Sequence, residues 1–375
     1  MNTLNFSDNI VRLRRRKKLT QEQLADFMGV TKASVSKWET KQSLPDVLLL
    51  PKLAAFFDVT IDELLGYEPQ LSKEQIRKTY CELAAGFAKK PFEEIMEQSQ
   101  TLVKRYYSCY PFLFQISCLW LNHYMLAEKK ERQLEILGMA SQLCSHIISG
   151  CKDIAMCNDT VMLKATIDLQ LGKTQEVIET LEEVLNPYRL SGQSDGLMIR
   201  AYYQANEREK ADSFTQISMF THLLSMISDA VWHVANHGDD LAVCEETIRR
   251  IDSVIEVFGV AKLHPNTVAI YHYQAAVVYC MHGKNREAVE RLKRYTQTVR
   301  YLLKDDNLIS HGDEYFNLVG GWYERSELGV NAPRDKKVIF DNAVQVLEQP
   351  VFAVLKEDRE FQHLKRALSE TGGNL

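Results

Sequence analysis

The most constraining feature of the sequence is a spacing inside residues 20–39, where a small residue stands at Ala25, a glycine at Gly29, a β-branched residue at Val35 and a large apolar one at Trp38. Two helices that cross through a turn of three or four residues need a small side chain where they touch and a glycine in the turn. The second of them needs apolar anchors behind it, here Val35 and Trp38. Thr20 is placed to cap a helix over 21–28, with Gln23 completing a capping box and Leu24, Ala25 and Met28 facing inward. Gly29 takes the left-handed conformation that stops such a helix. Thr31 caps the next one, from Lys32 to about Thr40. Upstream, Phe6, Ile10 and Leu13 share one helical face, so Ser7 reads as the cap of a first helix ending near Lys18. Downstream, Pro45 and Asp46 open a fourth helix with Leu49, Leu53, Phe56 and Phe57 buried. Thr60 and Glu63 form a second capping box, opening a fifth that Gly66 closes. The expectation is five short helices in one domain spanning residues 1–66.

With those positions in hand, LTQEQLADFMGVTKASVSKWE and DVTIDELLG resemble the lambda-repressor/Cro type of helix-turn-helix, the Xre family, over about residues 5–66. The resemblance implies that the third helix enters the major groove of double-stranded DNA while the start of the second grips the backbone. Carried over position by position, Gln21 matches a phosphate contact and Thr31 a cap that also meets phosphate. Lys32, Ala33 and Lys37 match base-reading positions, with Ser34 and Ser36 as further polar contacts and Lys41 as an additional one past the helix. The chemistry fits: a lysine donates to guanine O6 and N7, and an alanine methyl packs on a thymine methyl. Family members often carry glutamine where this chain has Lys32 and Ala33, so the target sequence does not carry over. On an arbitrary helix the same side chains would read as a solvated face; the surrounding motif decides for DNA. Arg14 and Glu39 match a structural ion pair between the first and third helices. At most two of Arg12, Arg15, Arg16, Lys17 and Lys18 are expected on phosphate.

Charge agrees with this division. Between Arg12 and Lys41 there are nine Lys and Arg against three acids, whereas residues 69–375 hold 35 basic and 41 acidic side chains. A basic end on an acidic body implies a polyanionic partner for that end alone. At 375 residues the chain exceeds the roughly 250–300 that a single core supports. Residues 1–6 show no secretory signal, and no apolar run approaches the ~18 residues of a membrane span. The eight cysteines (81, 109, 118, 144, 151, 157, 244 and 280) form no C-x-x-C and read as reduced thiols. A cytoplasmic protein is expected.

Residues 67–72 read as a linker, with Ser72 capping the next helix. To about residue 303 the chain is a series of helical patterns 15 to 20 residues long, without sustained strand-like alternation. LQLGKTQEVIETLEEVL, YYQANEREKADSFTQISMF and YHYQAAVVYCMHGKNREAVERLKRY share one pattern, an apolar helix, a Gly or Asn turn and a second periodic helix. The turn residues are Gly172, Asn206 and Gly283, with Gly238 as a fourth, and separations of 34, 32 and 45 residues bracket the tetratricopeptide period. Ala276, Tyr279, Gly283 and Ala288 stand at the spacing of that repeat and resemble it best. Asp168 replaces an aromatic in the first repeat, and Thr215 a large apolar residue in the second. The expected class is all-α, a helix-turn-helix domain followed by tetratricopeptide-like hairpins over 73–333. Gly320-Gly321-Trp322 marks a bend near their end, and residues 334–375 supply capping helices and a tail, the helices lying in PVFAVLKEDREFQHLKRAL.

This combination resembles the peptide-sensing regulators of Gram-positive bacteria and their phages, which implies a homodimer with a peptide or small ligand in the groove of the repeats. Trp232, Asn236 and Tyr273 are the groove candidates, Asn236 on the condition that Gly238 is a true repeat turn. Taken alone, each reads more readily as structural. His233 and His237, four apart and followed by Asp239 and Asp240, lack a third ligand at a recognisable spacing, so no metal is expected. No phosphate-cradling glycine motif or nucleophile motif occurs, so neither a cofactor nor an enzyme is expected. Three readings stand: a ligand-gated transcriptional regulator; a regulator whose repeats only dimerise or recruit a protein; and a scaffold or antitoxin-like protein with an autoregulatory DNA-binding head.

Overall fold

A computed structural model describes residues 5–67, 70–182, 194–304, 308, 312–329 and 331–372, and among them every regular element is helical. The chain divides into two compact units, residues 1–72 with 101–113 and residues 73–100 with 114–375.

In the first unit, α1 (Phe6–Arg16), α2 (Gln21–Met28), α3 (Lys32–Glu39), α4 (Leu50–Phe57) and α5 (Ile61–Leu65) enclose one apolar core. Phe6, Ile10, Leu24, Val35, Leu53, Phe57 and Leu64 are fully buried there. Both capping boxes form: Thr20 Oγ1 accepts from Gln23 N while Gln23 Oε1 accepts from Thr20 N, and Thr60 and Glu63 repeat the exchange. Gly29 and Gly66 take φ of 74° and 66° as helix stops. Two expectations need correction. Ser7 is not a cap; α1 starts at Phe6, and Ser7 lies buried in its first turn. Phe6 must be helical to bury alongside Ile10, which pushes the start back to Asn5. The fourth helix begins later than Pro45-Asp46. Asp46 instead caps a 3-10 turn over Val47–Leu49, and Val47 and Leu48 are exposed.

The second unit contains α6 (Lys73–Lys89), most of α7 (Phe92–Arg105) and of α8 (Tyr110–His123), then α9 (Lys130–Gly150), α10 (Ile154–Gln170), α11 (Thr174–Glu182) and α12 (Ser194–Gln204). There follow α13 (Arg208–Asn236), α14 (Leu241–Val257), α15 (Val260–Leu263), α16 (Pro265–Met281), α17 (Asn285–Leu303), α18 (Val319–Arg325), α19 (Lys336–Val346) and α20 (Arg359–Thr371). The turns at Gly172, Asn206 and Gly283 share a left-handed residue, with φ of 77°, 58° and 66°, each between paired helices. In the α16–α17 hairpin Ala276 and Ala288 are fully buried and Tyr279 nearly so, as small residues at a close crossing require. Gly238 lies in a fourth turn, between α13 and α14, as expected, though with a different backbone conformation. The chain turns there without a left-handed residue, and Asp240 caps α14. The Gly238 carbonyl accepts from His282 Nε2 at 2.8 Å. Gly320 and Gly321 lie inside α18 rather than at a bend. Asp168, the acid in place of an aromatic, is buried and held by Ser141 Oγ at 2.7 Å and by Lys164. Burial pushes its carboxyl up, but those partners prevail and keep it below the ordinary range.

Candidate nucleic-acid interface

The position of α3 is set from behind. Val35 is fully buried and Trp38 nearly so, both in the α1–α5 core. Thr31 Oγ1 accepts from Ser34 N and also meets Ser34 Oγ at 2.9 Å, which fixes the first turn. A bidentate ion pair fixes the other end: Arg14 Nε and Nη2 reach Glu39 Oε1 and Oε2 at 2.5 and 2.9 Å, with the Glu39 side chain only 7% exposed. Arg14 Nη1 also donates to Leu19 O at 2.7 Å, so one guanidinium ties α3 to the turn before α2. Burial raises the Glu39 carboxyl, yet hydrogen bonds from Arg14 and Gln21 outweigh it and hold the group below the usual carboxylate range.

That anchoring leaves one side of α3 in solvent. Thr31, Lys32, Ala33 and Lys37 are exposed, and Ser34 and Ser36 are half-exposed. Lys32 stands 3.7 Å from Glu22 in a fully hydrated pair, and Lys41, with φ of 63°, meets Asp8 at 3.0 Å. Exposed pairs of this kind contribute roughly 0–1 kcal/mol, so either lysine can trade its partner for a phosphate. Lys37 makes no ion pair with a described residue. Gln21 is engaged with a buried carboxylate: its amide donates to Glu39 Oε2 at 2.9 Å. Of the first-helix cations, Arg12 donates to Asn9 and Lys17 lies 5.3 Å from the centroid of the Phe56 ring. Sequence reasoning missed the exposed apolar side chains that follow α3 in the chain. Leu44, Val47 and Leu48 are 58%, 70% and 82% exposed on the segment after α3. The apolar run after Pro45 hid Val47 and Leu48 inside the expected fourth helix.

A helix-turn-helix family model matches residues 10–64, the span of α1 to α5. YonR, an SPbeta prophage-derived uncharacterized HTH-type transcriptional regulator of Bacillus subtilis strain 168, is 31% identical over 83 residues, 22% of this chain and 77% of YonR. The chain belongs to the HTH-type transcriptional regulators. A second HTH-type relative, the transcriptional activator BcrR of Enterococcus faecalis, is 43% identical over 65 residues, 17% of this chain. The chain spans about a third of BcrR's length, 32%. Among solved structures, Bacillus thuringiensis PlcR in complex with the peptide PapR7 and DNA aligns over 97% of this chain and 99% of that one, at 14% identity and a TM-score of 0.23.

The groove candidates of this HTH-type regulator do not gather at one site. Trp232 is 69% exposed and Asn236 is exposed on α13. Tyr273 is half-buried on α16, 6.0 Å from the Phe352 ring, and lines a cavity whose lining includes neither of the other two. Trp232 and Asn236 are neighbours one turn apart; Tyr273 belongs elsewhere.

Proposed function

We propose that the chain is a sequence-specific DNA-binding transcriptional regulator that lays the exposed side of α3 in the major groove of duplex DNA. One observation carries this reading: Lys32, Ala33 and Lys37 stand in solvent on a helix whose opposite side, Val35 and Trp38, is locked into the core. Lysines so held can donate to guanine edges, and Ala33 can meet a thymine methyl. Thr31, Lys41 and the backbone N–H groups at the start of α2 suit phosphate, since the first turn of a helix has donors without intrahelical acceptors. Gln21 acts by bracing Glu39, and so α3, as well as by facing the backbone.

A single module of this size buries little DNA surface, so specific binding favours a homodimer on two half-sites about 34 Å apart. The exposed apolar residues of α13, Met219, Met226 and Trp232, support self-association through the helical unit. We assign to that unit the sensing of a small ligand, and to the whole protein a cytoplasmic location.

Fluorescence anisotropy on a selected duplex tests the DNA reading. Lys37→Ala should weaken specific binding by about 1–3 kcal/mol and relax preference at one base position. Gln21→Ala should weaken specific and random duplex alike. Parent-like binding by both variants would refute the placement of the reading helix.

A further inference from the structure

The second unit holds a cavity of about 560 Å³ lined mainly from α16, α17 and α19. Its walls are apolar: Ala269, Val299, Leu302 and Ala343 are buried, with Ile270 exposed at the mouth. Its polar groups are few. Asn266 and Asn342 make no hydrogen bond with a described residue, and Asn122 donates to Cys118 O at 2.9 Å. Among them stands Arg334. Its Nε is cut off from solvent without an acceptor among the described residues, and it forms no ion pair with a described carboxylate. Asp335, next in the chain, is committed to capping α19 through Lys337 N at 2.9 Å. A half-buried guanidinium whose Nε is withdrawn from water without an acceptor among the described residues is a costly arrangement, and a cavity at its side is where a partner fits.

We propose that this cavity binds a compact monoacid, with its carboxylate on Arg334 and its apolar body against Ile270, Val299 and Ile339. The volume falls in the range of small-molecule sites, roughly 300–1,000 Å³. The fork of a guanidinium matches the two oxygens of a carboxylate. Arg334 is the sole Lys or Arg of the lining among the described residues, and burial holds the lining base His264 toward its neutral form, so a single negative charge is matched and a doubly charged phosphate is not. Two sources share this chemistry: a medium-chain fatty acid and the free C-terminus of a short apolar peptide. The assignment rests on the reading that this unit senses a ligand, and it gives that ligand a class and a place.

Calorimetry on the full-length protein, with decanoate against decanamide and an apolar tripeptide with a free against an amidated C-terminus, tests it. At least one acid should bind about tenfold or more tightly than its own neutral amide, the loss expected when a charge-assisted bidentate contact is removed. The arm that binds names the source. In Arg334→Met the acid and the amide should bind within about threefold of each other. Hydrogen exchange on the parent protein needs no variant to fold, and the acid should protect 265–281 and 336–346. Equal binding of acid and amide by the parent, absence of binding by all four probes, or protection confined to other helices would overturn the site. Acid binding with this pattern but unchanged DNA affinity would leave the site standing and refute ligand gating. A ligand that shifts DNA affinity while protecting other helices would do the reverse.

Discussion

Replacing Glu39 with glutamine tests how α3 is held. The side chain is 7% exposed and receives Arg14 Nε and Nη2 and Gln21 Nε2 at 2.5, 2.9 and 2.9 Å. Glutamine keeps the shape, removes the charge and replaces one acceptor with a donor facing Arg14. Removing one member of a buried pair costs about 3–5 kcal/mol, because the other charge remains withdrawn from water. Arg14 keeps Leu19 O and is 12% exposed, which places Glu39→Gln near the lower end, about 3 kcal/mol. Amides of α1 to α3 that exchange by opening of the domain should then exchange on the order of 100-fold faster in the full-length protein, measured by mass spectrometry. The sign with pH follows. The folded state holds the Glu39 carboxyl below its ordinary value, so the pair stabilises above the unfolded pKa and its contribution is lost as pH falls through the folded one. The parent should therefore lose protection in acid more steeply than Glu39→Gln. Arg14→Met with Glu39→Leu should restore most of the loss, since an apolar pair leaves no orphaned charge. Exchange within fivefold of the parent in Glu39→Gln would refute the reasoning.

Other consequences are equally direct. Gly29→Ala should cost roughly 1–2 kcal/mol, the strain of a left-handed alanine alone, because an added Cβ meets nothing within 4 Å. Gly66→Ala should cost more in the same thermal melt, because its Cβ would press within 2.8 Å of Asn5 Cβ. Burial pushes the Cys118 thiol up to about 12 and Cys144 to about 11, so iodoacetamide at pH 8 should leave both unlabelled in the native protein and label both in urea, read by peptide mass spectrometry. Trp38→Ala should destabilise the first unit by about 3–5 kcal/mol in a denaturant titration, the cost of emptying a large core side chain.

What was legible in the sequence was what local chemistry decides. Thr20 with Gln23, Thr60 with Glu63 and the left-handed stops at Gly29 and Gly66 each need only residues within one or two turns, and each formed as read. The α16–α17 hairpin was equally plain, because Ala276, Gly283 and Ala288 meet across a single turn. Errors arose where a residue type has more than one use. Gly320 and Gly321 suggest a bend, as adjacent glycines do, and lie in α18. Ser7 and Asn5 are both residue types found at caps; the burial of Phe6 puts Asn5 at that position, where its side chain makes no cap hydrogen bond. The cavity at Arg334 was invisible for another reason: Asn122, Tyr273 and Arg334 are brought together only by tertiary packing. Gln21 was read for what it could touch outside, and its partner Glu39 lies eighteen residues on, at the far end of α3.

The central claim is that the exposed side of α3 reads base edges. Selection from a random duplex library by the parent and by Lys37→Gln, with Arg12→Gln as a control on α1, measures this most directly. The parent should enrich a defined sequence, Lys37→Gln a sequence changed at one position of each half-site, and Arg12→Gln the parental sequence at lower affinity. Enrichment of the parental sequence by Lys37→Gln, or of no sequence by the parent, would contradict the account.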